Sequence, residues 1–240
     1  FKKLSLEMGG KNPVIIFADC DYDKMLNTTI KSSFYNQGQI CLAGSRIYVQ
    51  DEIYDKFKQD FVNRVKKLKV GDPLLDDSDQ GPVVSREHLN KIISYIDIAK
   101  SEGGNILVGG KRIKFNSKLK NGNFFEPTVI ESLSLDSVVH REEIFGPVVT
   151  INSFKEDGDA IRMANDSDYG LASILWTSDL GKAHKISEKL NSGIVWINSW
   201  LLRDLRTPFG GVKQSGFGRE GGYDAINFFT EQKNICIDYN

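Results

Sequence analysis

Val14-Ile15-Ile16-Phe17, then Met25, Leu26, Ile30 and Phe34, then Ile47-Tyr48-Val49 read as strand, helix and strand in succession. The first run is short, apolar and β-branched, and follows the turn material Gly9-Gly10-Lys11-Asn12-Pro13. The apolar residues 25–34 recur at helical spacing, and Asp21 or Asp23 supplies an N-cap for a helix reaching about Gln37. Two strands joined by a helix imply parallel pairing, because antiparallel neighbours need only a hairpin. Further along, helices are expected over 52–68 and from Ser85 to Gly103-Gly104, and a strand at 106–108. The polar, basic stretch 111–123 reads as a surface hairpin or loop. Strands at 148–154, 172–177 and 194–198 then alternate with helices at 159–165 and 183–190. The expected class is therefore α/β, with a mainly parallel sheet flanked by helices. A late helix near 223–229 and a last strand at Asn234 to Asp238 complete the pattern.

Composition narrows the function classes. The 240 residues carry 31 Lys+Arg against 32 Asp+Glu, which argues against a basic nucleic-acid surface and against a polybasic membrane surface. No apolar run approaches the roughly 18–20 residues of a membrane span. Three cysteines, Cys20, Cys41 and Cys236, are too few for a disulfide scaffold, so a reducing, cytoplasmic setting is expected. The chain opens on Phe1 without a signal-peptide pattern, and it is expected to be a fragment of something longer.

Chemistry centres on Cys41, in Asn36-Gln37-Gly38-Gln39-Ile40-Cys41-Leu42-Ala43-Gly44-Ser45-Arg46. Glycines and small residues let a ligand approach the backbone, whose N–H groups then stabilise an oxyanion. An isolated cysteine is also consistent with a buried structural residue. Glu7, before Gly9-Gly10, reads either as a solvated loop carboxylate or as a general base. Glu142-Glu143-Ile144-Phe145-Gly146-Pro147 offers a carboxylate for sugar hydroxyls and an aromatic ring for a flat heterocycle. Gly216-Phe217-Gly218-Arg219-Glu220-Gly221 fits G-x-G-x-x-G, but it follows a loop and lacks the roughly 30 residues of a βαβ unit. It is read as a connector. His88, His140 and His184 have no second ligand at metal spacing, and no metal is expected. A Cys–His hydrolase remains open at this level, as does a non-catalytic interaction module.

Four segments together resemble the aldehyde dehydrogenase superfamily: Leu6-Glu7-Met8-Gly9-Gly10-Lys11, Asn36 to Cys41, Glu143-Ile144-Phe145-Gly146-Pro147 and Pro208-Phe209-Gly210-Gly211. Their order agrees with the family across essentially the whole chain. The resemblance implies Cys41 as the nucleophile toward an aldehyde and Glu7 as the base that activates water. It implies Glu143, Phe145 and Gly9 at the cofactor, which is NAD, with NADP equally admitted. It divides the chain into the end of a cofactor-binding region (1–8), a catalytic domain (9–214) and a C-terminal tail (215–240). In that tail, residues 234–238 correspond to an oligomerisation strand, so a homo-oligomer, dimer or tetramer, is expected. The resemblance further implies that an N-terminal half carrying most of the cofactor-binding fold is missing here, and the chain is expected to be the remainder. Trp200-Leu201-Leu202-Arg203-Asp204-Leu205-Arg206 resembles the substrate loop of hydroxymuconic and aminomuconic semialdehyde dehydrogenases. That likeness implies a substrate carboxylate held by Arg203, with Arg206 in reserve; the competing reading pairs one arginine with Asp204 or the backbone.

Overall fold

The computed structural model describes residues 1–239. The elements, in chain order, begin with β1 (Leu6–Glu7), β2 (Asn12–Ile16), α1 (Tyr22–Phe34), β3 (Gly44–Gln50) and α2 (Asp51–Val65). Next come α3 (Arg86–Ser101), β4 (Asn105–Val108), β5 (Arg112–Ile113), β6 (Phe124–Phe125), β7 (Thr128–Glu131) and α4 (Val138–Arg141). Then follow β8 (Val148–Phe154), α5 (Asp157–Asn165), β9 (Tyr169–Gly170), β10 (Ala172–Trp176), α6 (Leu180–Ser187) and β11 (Ile194–Ile197). The chain closes with β12 (Val212–Lys213), β13 (Gly216–Phe217) and α7 (Gly222–Phe229).

Seven strands form the central sheet in the order β11-β10-β2-β3-β8-β7-β4. Every neighbouring pair is parallel except β4 with β7. The α/β reading therefore holds. Side chains alternate across the strands, and both faces are buried. Val14 and Ile16 of β2, Ile47 and Val49 of β3, and Ile174 and Trp176 of β10 pack with Phe34, Phe57 and Phe61 from the α1/α2 side. Ile15, Tyr48 and Leu175 point the other way, onto Ala160, Met163 and Ile186 of α5 and α6. Two-sided burial explains why β2 reads as an unbroken apolar run rather than an alternating one. A third cluster joins Leu89, Ile92 and Ile96 of α3 to Ile130 and Val148.

Caps fall where side-chain oxygens meet free helix N–H groups. Asp21 accepts from the Lys24 amide at 3.2 Å, so Asp21 rather than Asp23 opens α1. Ser85 opens α3, accepting from the His88 amide at 3.1 Å. The 111–123 excursion is a hairpin, with Arg112↔Phe125 and Ile113↔Phe124 paired.

Several expectations are corrected. The first helix stops at Phe34, because Asn36 (φ 50°) and Gln37 (φ 58°) turn left-handed in a tight 3₁₀ segment, Tyr35–Gly38. Asn12 and Pro13 belong to β2 rather than to the preceding turn. A proline is tolerated in this inner strand because the register slips between Asn12 and Pro13. The expected C-terminal strand at 234–238 forms no ladder among the described residues: Ile235 and Ile237 are exposed, and a strand is stable only against a partner edge. Residues 1–8 and the start of the 215–240 tail meet in one small sheet, with Leu6↔Phe217 and Glu7↔Gly216 paired across β1 and β13.

Candidate active site

The sequence-predicted residues gather at the amino ends of the parallel strands. Gly9-Gly10 leads into β2, Cys41 precedes β3, and Glu143–Pro147 precedes β8. Ligands of open α/β sheets usually sit at the carboxyl ends of the strands, so these residues gather at the opposite end.

The Cys41 loop is held from three sides. The Asn12 side-chain amide donates to the Cys41 carbonyl at 2.7 Å and to the Ala43 carbonyl at 2.9 Å. Its Oδ1 accepts from the Ala172 amide at 3.0 Å, so one buried residue ties together β2, the Cys41 loop and β10. The Trp200 indole donates to the Leu42 carbonyl at 3.0 Å. Gly10 lets the backbones approach, since a Cβ there would stand 2.7 Å from the Cys41 oxygen. At Gly38 (φ 68°) a side chain would run into the Gly146 carbonyl, so the turn before Cys41 packs directly on the Glu143 loop.

Cys41 is half-buried, and its thiol is pushed above the ordinary range. Burial is the main cause, followed by the negative charges of Glu143 and Glu7; its own backbone environment and Arg203 oppose them. The resting sulfur is therefore a thiol. Below its pKa the thiolate fraction grows about tenfold per pH unit, and an unperturbed thiol is half-ionised near about pH 8.5. Alkylation of Cys41 by iodoacetamide should therefore reach its plateau at higher pH than that of an unperturbed thiol. Site-resolved mass spectrometry checks this, and a plateau near neutrality would contradict the derived environment.

Glu7 is half-buried beside the glycine loop. A Cβ at Gly210 would lie 3.0 Å from its Oε1. Its carboxyl is raised above the usual range, first by burial and then by the neighbouring charge of Glu220. The Gly211 backbone, Arg219 and Arg203 pull it back. Arg219 is itself anchored on the Gly211 and Gly218 carbonyls at 3.0 and 2.7 Å.

Glu143 accepts the Gly10 amide on Oε1 at 2.9 Å. Its other oxygen, Oε2, borders the space that any side chain at Gly9 would fill, which leaves a cradle lined by a carboxylate and bare backbone. Phe145 adopts φ 59°, and its carbonyl meets His88 Nε2 at 2.6 Å.

The two arginines part company. Arg203 stacks on Phe209, its guanidinium carbon 4.3 Å from the ring centroid, and its charge reaches both Cys41 and Glu7. It lines a cleft of about 130 Å³ with Trp196, Leu202, Phe209 and Glu220. Arg206 is held on Asp204, its Nε 2.9 and 3.1 Å from the two carboxylate oxygens, and it stands in solvent.

The histidines do not form a Cys–His pair. His140 is buried between the Tyr48 hydroxyl (2.7 Å) and Thr150 Oγ1 (2.9 Å). Burial, with the charges of Arg46, Lys11 and Arg141, pushes it down to about 2, so it stays neutral. Lys11 is also fully buried, donates to the Val139 carbonyl at 2.9 Å and is lowered to about 7, mainly by burial. Arg46 is sealed among the backbone carbonyls of Lys11, Met163, Ala164 and Asp166. Sequence reading missed Asn12, Trp200 and His88. Only Asn12 carried a local signal, its place beside the Gly-Gly turn.

Residues 1–235 match the aldehyde dehydrogenase family. A 2-aminomuconic 6-semialdehyde dehydrogenase of Pseudomonas sp is 47% identical over 236 residues, covering 98% of this chain and 48% of the relative. A 2-hydroxymuconic semialdehyde dehydrogenase of Pseudomonas putida is 44% identical, with 98% and 49% covered. This chain thus spans about half the length of the curated relatives it matches. Among solved structures, betaine aldehyde dehydrogenase of Staphylococcus aureus in complex with NAD+ superposes with a TM-score of 0.89 at 48% identity, over 92% of this chain and 44% of that one. With the family's motifs drawn together at one end of a family-like sheet, the chain belongs to the aldehyde dehydrogenase family.

Proposed function

We propose that the chain is the catalytic portion of an NAD(P)-dependent aldehyde dehydrogenase whose substrate is a semialdehyde bearing a carboxylate. The observation that carries this reading is the packing of the Cys41 loop, the Gly9-Gly10 turn and the Glu143 loop against one another: the Gly10 amide donates to Glu143 at 2.9 Å, and Asn12 donates to the Cys41 carbonyl at 2.7 Å. The relatives named for muconic semialdehydes, and the NAD+ complex of the structural neighbour, support the same reading.

In this mechanism the Cys41 thiol gives its proton to water and the sulfur attacks the aldehyde carbon. A C–S bond forms and the carbonyl electron pair moves to oxygen, giving a thiohemiacetal oxyanion. The Cys41 backbone N–H donates to that oxygen, with the loop fixed by Asn12 and Trp200. Nicotinamide dinucleotide, when bound, supplies the acceptor for the hydride that leaves the substrate carbon. Glu143 would hold ribose hydroxyls of that group, Gly9 would leave room for them, and Phe145 would offer its ring to the nicotinamide. The oxyanion collapses to a thioester on Cys41. Glu7 then takes a proton from water, the resulting nucleophile attacks the acyl carbon, and the C–S bond breaks to release the acid. Burial suits Glu7 to this role, because a raised carboxyl is a stronger base once ionised.

Arg203 sets the substrate class. Its stacking on Phe209 orders the guanidinium in advance, which suits a planar, two-pronged pair with a carboxylate. A charge-assisted bond of about 1.5–3 kcal/mol corresponds to an increase in KM of roughly 10- to 150-fold when it is lost. Arg203→Ala in the full-length protein should show that increase for a carboxylate semialdehyde and little change for a neutral aldehyde. Spectrophotometric assay of NAD(P)H formation with both substrates is the test, and equal effects would remove the substrate assignment. Absence of cofactor-dependent turnover in the unaltered full-length protein would remove the function itself.

A further inference from the structure

We propose that His88 is a positioning residue that holds Phe145, and with it the Glu143 loop, in the cofactor-receiving conformation. The inference rests on the preceding reading of Glu143 and Phe145. Phe145 is a bulky residue at φ 59°, a left-handed conformation normally left to glycine or asparagine. Such an outlier persists only where its surroundings over-determine it, and it commonly marks a functional segment.

The surrounding contacts come from one face of α3. His88 Nε2 lies 2.6 Å from the Phe145 carbonyl. A carbonyl only accepts, so Nε2 carries the hydrogen. The imidazole also meets the Phe145 ring edge-on, with centroids 6.3 Å apart. Along the same face, Lys91 donates to the Glu143 carbonyl at 3.1 Å and the Tyr95 hydroxyl donates to Glu142 at 2.5 Å. Residues 88, 91 and 95 share that face by helical spacing, so a single rigid element grips three successive parts of the loop. On the opposite side, Gly38 packs on the Gly146 carbonyl. His88 is the contact made at the strained residue itself. Its own backbone is fixed, because its amide is bonded to the Ser85 cap. Without it, Phe145 relaxes toward ordinary φ. The ring then shifts, and Glu143 leaves the position in which the Gly10 amide holds it.

The test uses the full-length protein with NAD+ as the probe. His88→Leu removes the donor, whereas His88→Gln keeps an N–H at similar reach. His88→Leu should raise KM and Kd for NAD+ about five- to tenfold, the worth of one hydrogen bond at this site. KM for the aldehyde should change far less, and His88→Gln should restore NAD+ binding to within about twofold. In a Phe145→Ala background the His88→Leu change should cost less than in the parent, because the share of the loss carried by the Phe145 ring is already gone. If Phe145→Ala weakens NAD+ binding and His88→Leu does not, the positioning role fails while the functional reading stands. If Phe145→Ala leaves NAD+ binding unchanged, the functional reading of Phe145 fails first. Independent, additive losses in the double variant would mean that His88 does not act through Phe145, and would also overturn the proposal.

Discussion

Cys41→Ala in the full-length protein is expected to abolish aldehyde oxidation, with a fall of about 10⁴-fold or more in turnover. The size follows from the mechanism. Without a sulfur there is no tetrahedral adduct to give up hydride, and an Ala methyl offers neither lone pair nor proton. Folding should survive, because the bonds that shape this loop are made by backbone atoms. The Cys41 carbonyl accepts from Asn12, and the Leu42 carbonyl from Trp200. Loss of activity with an unchanged thermal transition and retained NAD+ binding is therefore the expected pair of results. Appreciable turnover by the Ala variant would show that another group carries the chemistry.

Glu7→Gln should divide the reaction in two. A general base contributes about 10²–10⁴-fold, and that loss should fall on thioester hydrolysis rather than on hydride transfer. Mixing the variant with NAD+ and aldehyde should release a rapid burst of NADH equivalent to the active sites, followed by a slow steady state. The acid limb of the pH profile gives a second readout. A base works only when ionised, and the Glu7 carboxyl is raised by burial and by Glu220. Activity in the parent should therefore fall away at higher pH on the acid side than an unperturbed glutamate would allow. In the Gln variant that limb should flatten. A burst-free variant with an undiminished rate would remove Glu7 from the deacylation step.

The sheet was legible in the sequence because its strands are buried on both faces, so β2 and β10 stand out as short, largely apolar runs between helical repeats. The strand β7 was not, because Thr128–Glu131 is short and follows Pro127, and no periodicity develops in four residues. Cys41 and Glu7 were legible as motifs. Asn12 was hidden because the reading placed it in a turn, and its partners Cys41 and Ala172 are distant along the chain. The same non-local origin conceals the Gly10–Glu143 bond and the His88–Phe145 contact. Arg206 shows the converse: its partner Asp204 is two residues away, and the pairing was visible as the competing possibility. The alternating tail, with Ile235 and Ile237, carries the pattern of a strand without an edge of its own chain to join.

One consequence of the Asn12 bridge concerns how this molecule tolerates change. The sulfur's loop is knotted to two interior strands through a single amide, so its geometry fails only when the middle of the sheet fails. Residues 202–208, by contrast, stand in solvent. On the proposed reading, a lineage built on such a plan can retune what it accepts by drifting in that rim, while the reacting centre stays inherited intact.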